Sequence, residues 1–151
     1  MTDNPLLGSW RLVRWEIAYG DGRRSTLPYG DAASGLILYA GDGWMNACIA
    51  RGGRPPLSSD SVRSAPEAER LSAIESYFAY AGRYALRRDG GRLQVVHSVT
   101  HALNPNFVGS QQVRNVELHD DGRLTLSASD LVPGTEVARH HRLLWERPDG
   151  G

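Results

Sequence analysis

Short glycine-containing turns divide this chain at intervals that suit antiparallel β-strands. Four of them, each with aspartate beside glycine, stand at residues 20–22, 41–43, 89–91 and 120–122. Such pairs favour tight turns between neighbouring strands, because glycine adopts the positive φ angles that these turns require. The spacing therefore predicts hairpin-connected strands rather than the helical crossovers of a parallel sheet.

Eight segments rich in β-branched, aromatic and leucine residues lie between these turns or beside them. They cover residues 10–19, 35–40, 44–50, 77–87, 92–100, 111–119, 123–129 and 137–147. Eight meandering strands lose their exposed edges when they close into an up-and-down barrel, whose interior accommodates side chains or one small ligand. We therefore predict an all-β fold, an eight-stranded antiparallel β-barrel. A two-sheet sandwich with a filled core is the alternative.

One segment, within residues 64–77, has the pattern of a short α-helix. Pro66 followed by two glutamates is typical of a helix start. The apolar side of this helix would be formed by Ala68, Leu71 and Ile74. The preceding residues 51–61 are polar and rich in proline, glycine and serine. This segment is long enough to be a mobile loop or a lid, and we expect it to lie together with the helix over one barrel end.

Size and charge exclude several classes of partner. A length of 151 residues suits a single domain spanning residues 1–151. The 17 basic and 17 acidic side chains cancel, so we expect no binding to nucleic acid or to an acidic membrane. The N-terminal residues lack a signal-peptide pattern, and no apolar run reaches the roughly 18 residues of a membrane span. We expect a soluble, cytoplasmic protein, with a homodimer left open as its assembly.

Side-chain alternation places polar residues inside the expected barrel. Phe78, Tyr80 and Tyr84 share the aromatic face of one strand, and His97 and His101 share a face with valines in the next. A polar side chain on such a face is a candidate for ligand contact or catalysis. A lone histidine among apolar residues is nevertheless more often a satisfied core residue.

Arg114 and Gln112 fall on one face of the sixth strand. A guanidinium keeps its proton when buried, so Arg114 needs a carboxylate, several carbonyls or a bound anion. Glu16 is a candidate counter-ion if it points inward, which the alternation of the first strand leaves open. The last strand is equally open, and its adjacent His140 and His141 must point to opposite faces.

Recognised metal and cofactor motifs do not occur in the sequence. The five histidines show no HxH or HExxH spacing, and we predict no metal site. Cys48, the single cysteine, lies in an apolar strand and is expected to be a small core residue. Phosphate-loop and dinucleotide fingerprints do not occur either, so no cofactor is predicted.

Several segments resemble, in their order and spacing, the bacterial and fungal lipocalin-like domain family. They are LLGSWRLVRWE, ILYAGDGWMNA, YFAYAGRYAL, LNPNFVGSQQVR and LLWER, within residues 6–147. The most specific is the pattern L-x-P-N-aromatic-V-G-x-x-Q-x-R at residues 103–114. Gly8 and Trp10 match the G-x-W that closes one end of lipocalin barrels. The resemblance implies a compact calycin-type β-barrel.

The chain departs from the family pattern at a few positions. Family members commonly carry tryptophan where Phe107 stands, and many have two adjacent histidines where this chain has His97 and Ser98. His101 and the pair at 140–141 lie outside the pattern, which makes them candidates for specificity.

Related lipocalin-like barrels bind small apolar molecules, and some act in natural-product pathways as cyclases, isomerases or dehydratases. We therefore predict binding of a small, mainly apolar organic molecule and cofactor-independent isomerisation, cyclisation or dehydration in specialised metabolism. A non-catalytic carrier is the alternative. The predicted catalytic residues are His97, as general acid or base, Arg114 and Tyr80. The predicted ligand contacts are Tyr84, Gln112, His101, Phe78, Trp10, Met45 and His141.

Overall fold

The computed structural model describes residues 3–148, which form one closed β-barrel. Eight antiparallel strands follow one another in chain order, and the last pairs with the first. They are β1 (Gly8–Tyr19), β2 (Ser34–Tyr39), β3 (Trp44–Ala50), β4 (Tyr77–Asp89), β5 (Arg92–Ala102), β6 (Gln111–Leu118), β7 (Leu124–Leu131) and β8 (Ala138–Glu146). The predicted eight-stranded barrel is confirmed, and the sandwich is excluded because the sheet closes on itself.

Three of the four predicted turns join neighbouring strands directly. Gly43 and Gly122, with φ angles of 93° and 87°, complete the β2–β3 and β6–β7 turns. The first turn, at 20–22, instead begins a longer connection that returns to β1 through a bridge between Ile17 and Thr26. These turns set the strand directions, so that one barrel end carries the short turns and the other the longer connections.

A β-bulge resolves the ambiguity of the first strand. The pairing of β1 with β8 shifts register between Leu12 and Arg14. The extra residue reverses the alternation, so Leu12 is buried on one side of the bulge and Ile17 on the other. Glu16 consequently lies on the outward face, beside Arg142 of β8. The face that carries Leu12 therefore points inward before the bulge, and the face that carries Ile17 points inward after it.

Trp10 closes the barrel end that carries the short turns. Its indole nitrogen donates to the Leu6 carbonyl at 2.9 Å, and the Arg147 guanidinium lies 3.7 Å from the ring centroid. Arg147 also donates to the Ser9 carbonyl at 3.0 Å. The side chain of Trp10 is 2% exposed. These contacts tie the segment after β8 to the start of β1.

The predicted helix is present as α1 (Glu67–Glu75), but its apolar side does not pack. Leu71 and Ile74 are 57% and 58% exposed, because the helix is held from its other side by polar contacts. Arg54 donates to the Ser76 hydroxyl at 2.9 Å and to the Ala73 carbonyl at 3.0 Å. No helix among residues 3–148 has the length and apolar character needed to cross a membrane.

Cys48 departs from its expected place in the core. Its neighbours in β3, Ala47 and Ile49, are buried, whereas Cys48 is half-buried on the outward face of the strand. Alternation along a strand accounts for this placement, because inward positions on either side leave the middle residue outside.

Candidate functional site

A cavity of about 430 Å³ occupies the barrel interior. All eight strands contribute side chains to its wall, most of them aliphatic or aromatic. Pro28 and Phe107 add apolar surface from two connections at the end opposite Trp10. None of residues 51–76, all of which the structure describes, lines this cavity, so the loop and helix expected as a lid do not cover it directly. A volume in this range suits one small organic molecule.

His97, on β5, lies between two tyrosines from strands β2 and β4. Its Nε2 is 2.7 Å from the Tyr39 hydroxyl of β2, and its Nδ1 is 2.6 Å from the Tyr80 hydroxyl of β4. The three side chains are at most 5% exposed. Tyr80 and His97 line the cavity, whereas Tyr39 is enclosed behind them. Both ring nitrogens of the histidine are thus already hydrogen-bonded before any ligand arrives.

The interior holds this histidine in its uncharged form. Burial, reinforced by the positive charge of Arg114, lowers the pKa of His97 to about 3. Burial also raises the pKa of Tyr80, which the charge of Arg114 partly offsets. The pKa of Tyr39 is raised well above its ordinary value, mainly by burial. At neutral pH the three groups are therefore an uncharged imidazole and two intact phenols.

Arg114 enters the cavity without a carboxylate partner. Its Nη1 donates to the Val113 carbonyl at 3.0 Å, and no ion pair within 4.0 Å involves it among residues 3–148. Glu16, the proposed counter-ion, lies on the outer face, so that prediction is wrong. Gln112 lines the same wall and donates to the Ser110 hydroxyl at 2.9 Å. The cavity therefore presents a positive charge to its contents.

A second polar cluster lies at the end of the cavity opposite Trp10. Trp15 donates through Nε1 to His141 Nδ1 at 3.2 Å, and His141 Nε2 lies 3.1 Å from an Asp130 carboxylate oxygen. Because an indole nitrogen only donates, His141 carries its hydrogen on Nε2 and donates it to Asp130. Arg139 donates to both oxygens of Asp130 at 2.8 and 2.7 Å, which lowers the pKa of that carboxyl. The positive charge of Arg139 and the negative charge of Asp130 therefore balance each other within this cluster.

A comparison against family models agrees with the closed eight-stranded barrel. The model described as a lipocalin-like domain matches residues 7–148. The chain belongs to the lipocalin-like domain family. A relative from Aspergillus oryzae, named as a 4'-hydroxy-3'-methoxypropiophenone carrier protein, is 28% identical over 107 residues. That match covers 68% of this chain and 96% of the relative.

Within this lipocalin-like barrel, the predicted site residues separate into two groups. Lining the cavity are His97, Arg114, Tyr80, Gln112, Phe78 and His141. Outside the lining are Tyr84, His101, Trp10 and Met45. The functional roles assigned to the first group stay predictions, but the structure does bring their side chains together.

The second group is displaced for two physical reasons. The β4–β5 pairing shifts register between Ala81 and Gly82, which turns His101 outward and lets Ala102 pack against the core. The predicted inward face of His101 is therefore wrong. The other three lie towards the closed end: Trp10 and Met45 belong to its packed core, and the Tyr84 hydroxyl donates to the Ala40 carbonyl at 2.7 Å.

Four residues of the two hydrogen-bonded clusters in this lipocalin-like site were missed by sequence reasoning. They are Tyr39, Trp15, Asp130 and Arg139. The alternation of Ile37 and Tyr39 in β2 was a usable signal, because a tyrosine in phase with a buried isoleucine also faces inward. For Asp130 no such signal existed, since it lies near the end of β7 among exposed residues.

Proposed function

We propose that this protein binds one small, mainly apolar organic molecule, of the size of a substituted aryl ketone, inside its barrel. The observation that carries the proposal is the cavity of about 430 Å³, whose wall is chiefly apolar with a few polar groups placed among the aromatic rings. Sites of this kind are typical of small-molecule binding. The name of the Aspergillus oryzae relative, a carrier protein, supports the same function.

Binding without chemical conversion agrees best with the state of His97. A general base works well when its pKa is near the working pH and its lone pair is available. The pKa of His97 is about 3, and both of its nitrogens are hydrogen-bonded to tyrosines. A carrier requires neither property, since its task is completed by enclosing the ligand.

Catalysis of isomerisation, cyclisation or dehydration remains a second candidate. One observation favours it: the Tyr80 hydroxyl and Arg114 both belong to the cavity wall, where a donor and a positive charge would stabilise an enolate. In that case Tyr80, rather than His97 directly, would contact the reacting oxygen. A role in specialised metabolism belongs to this second candidate as a prediction.

Titration with 4'-hydroxy-3'-methoxypropiophenone, followed by tryptophan fluorescence, tests the proposal because Trp15 and Trp145 line the cavity. We expect saturable quenching at one site per chain. Ala47→Phe, which fills the cavity from β3, should weaken binding at least about tenfold, or about 1.4 kcal/mol. Ala81→Phe is the matched control on the outer face of neighbouring β4 and should bind as the parent does.

Two outcomes would contradict the carrier. Equal binding by both phenylalanine variants would place the ligand outside the barrel. Time-dependent conversion of the bound compound, detected by mass spectrometry and lost in Tyr80→Phe, would instead establish the catalytic candidate.

A further inference from the structure

The hydrogen-bonded chain from Tyr39 through His97 to Tyr80 contains a fixed number of hydrogens. An uncharged imidazole has one N–H and one acceptor nitrogen, while each phenol has one O–H. His97 contacts a hydroxyl at both nitrogens, so it donates to one tyrosine and accepts from the other. Only two arrangements satisfy both contacts.

In one arrangement Tyr80 donates to Nδ1 and Nε2–H donates to the Tyr39 oxygen. The Tyr39 O–H then needs a different acceptor. Among residues 3–148 the Tyr39 hydroxyl has no hydrogen-bond partner besides His97, the side chain is 1% exposed, and it does not line the cavity. This arrangement leaves a buried donor without a partner, which is unfavourable.

In the other arrangement Tyr39 donates to Nε2 and Nδ1–H donates to the Tyr80 oxygen. The hydrogen without a protein acceptor is now that of Tyr80, and Tyr80 lies on the cavity wall. A ligand atom or a water molecule in the cavity accepts it. Every donor of these three side chains is then satisfied, so this arrangement is preferred.

We propose that Tyr39 fixes the tautomer of His97, so that Tyr80 presents its O–H to the cavity as a dedicated donor for a ligand carbonyl oxygen. This inference rests on the proposed ligand-binding function and specifies the class of ligand. The positive charge of Arg114 on the same wall favours an electron-rich oxygen at this place. Tyr39 acts as a positioning residue, since it touches His97 and not the cavity.

The tautomer is measurable in the ligand-free protein by ¹⁵N NMR of the histidine side chains. We expect His97 to be protonated at Nδ1 and unprotonated at Nε2. In Tyr39→Phe the donor to Nε2 is gone, so the preference for this tautomer should fall. Protonation at Nε2 in the unaltered protein would overturn the inference without any appeal to ligand binding.

The ligand class is tested with two probes of matched shape, propiophenone and propylbenzene, which differ in one carbonyl oxygen. The affinity ratio of ketone to hydrocarbon should fall about tenfold, or about 1.4 kcal/mol, in Tyr80→Phe. Tyr39→Phe should lower the ratio in the same direction. Tyr19→Phe, whose hydroxyl contacts Thr26 outside the cavity at 2.8 Å, serves as control and should leave the ratio unchanged.

The outcomes separate the two proposals. If both probes bind and Tyr80→Phe leaves their ratio unchanged, the carbonyl inference is wrong while ligand binding stands. If neither probe nor the methoxylated ketone binds, the proposed function and the ligand class fail together, and the NMR result alone decides the tautomer.

Discussion

Burial keeps the ionisable side chain of His97 uncharged, so that it contributes to the structure through two oriented hydrogen bonds. Its two hydrogen bonds to phenols compensate the loss of water around an uncharged imidazole, but they do not compensate a charged one. Protonation would place a positive charge near Arg114 in the same interior. The free energy of unfolding should therefore depend on pH through this residue.

The sign follows from the shifted pKa. In the unfolded chain His97 takes up a proton near its ordinary pKa of 6.5, whereas in the folded barrel it does so only at about 3. The unfolded state therefore binds more protons in this window, and stability falls as the pH decreases from about 6.5 towards 3. The contribution is up to about 1.4 kcal/mol per pH unit. His141, whose pKa burial also lowers, contributes in the same direction.

Urea unfolding between about pH 5 and pH 7 measures this dependence. His97→Gln keeps one donor and one acceptor but cannot take up the proton, so the fall in stability with acidification should be shallower in this variant. His101→Gln, on the exposed outer face, should retain the slope of the unaltered protein. Parallel pH profiles for His97→Gln and the unaltered protein would contradict a buried neutral histidine.

At the scale of single residues, sequence patterns predicted positions better than partners. Alternation alone placed His97, Tyr80 and Arg114 inside. The contact between Tyr39 and His97 joins positions 58 apart in the chain and spans the barrel from β2 to β5. Such a contact depends on how the sheet closes, which no local pattern encodes.

At the scale of elements, the strands were predicted to within a few residues because glycine turns mark their ends. The two bulges, in β1 and between β4 and β5, were not predicted. A bulge inserts one residue and reverses which face looks inward, so it changes the site without changing the strand count. This explains why the inward face of the first strand, which carries Trp15, was left undecided, and why His101 was placed on the wrong face.

Gly82 is the residue that permits the bulge between β4 and β5. A Cβ at this position would overlap the Ser98 carbonyl oxygen and lie 3.0 Å from the Thr100 nitrogen. Because both neighbours are backbone atoms, Gly82→Ala forces the two strands apart and should destabilise the fold by about 2–4 kcal/mol.

Gly41→Ala is the matched control for Gly82→Ala. A Cβ at Gly41 would meet only a Leu7 methyl at 3.7 Å, so the urea midpoint should shift little. Similar midpoints for the two variants would show that β4 and β5 can separate at the bulge without penalty, contrary to the close approach seen here.

At the scale of the whole molecule, the two barrel ends differ in construction. One end is sealed by Trp10 and Arg147, whose contacts join the two ends of the strand meander. At the other end Phe107 stands over the cavity, edge-to-face with Phe78 at 5.7 Å between ring centroids. The family resemblance indicated the sealed end through Gly8 and Trp10. The position of Phe107 over the cavity could not be predicted from the sequence, since a half-buried aromatic residue in a loop has no periodic signature.

This asymmetry predicts that stability and ligand exchange can be altered separately. Arg147→Met removes the hydrogen bond to Ser9 and the cation–π contact with Trp10, and should lower the free energy of unfolding by about 1–3 kcal/mol. Propiophenone exchange rates should stay near those of the unaltered protein.

Phe107→Ala should accelerate ligand dissociation several-fold while shifting the urea midpoint less, because its ring packs over the cavity and not within the sealed core. Stopped-flow fluorescence measures the rates, with Leu103→Ala, at an exposed residue that begins the same connection, as control. Faster dissociation in Arg147→Met than in Phe107→Ala would mean that the ligand leaves through the Trp10 end, and the assignment of the two ends would be reversed.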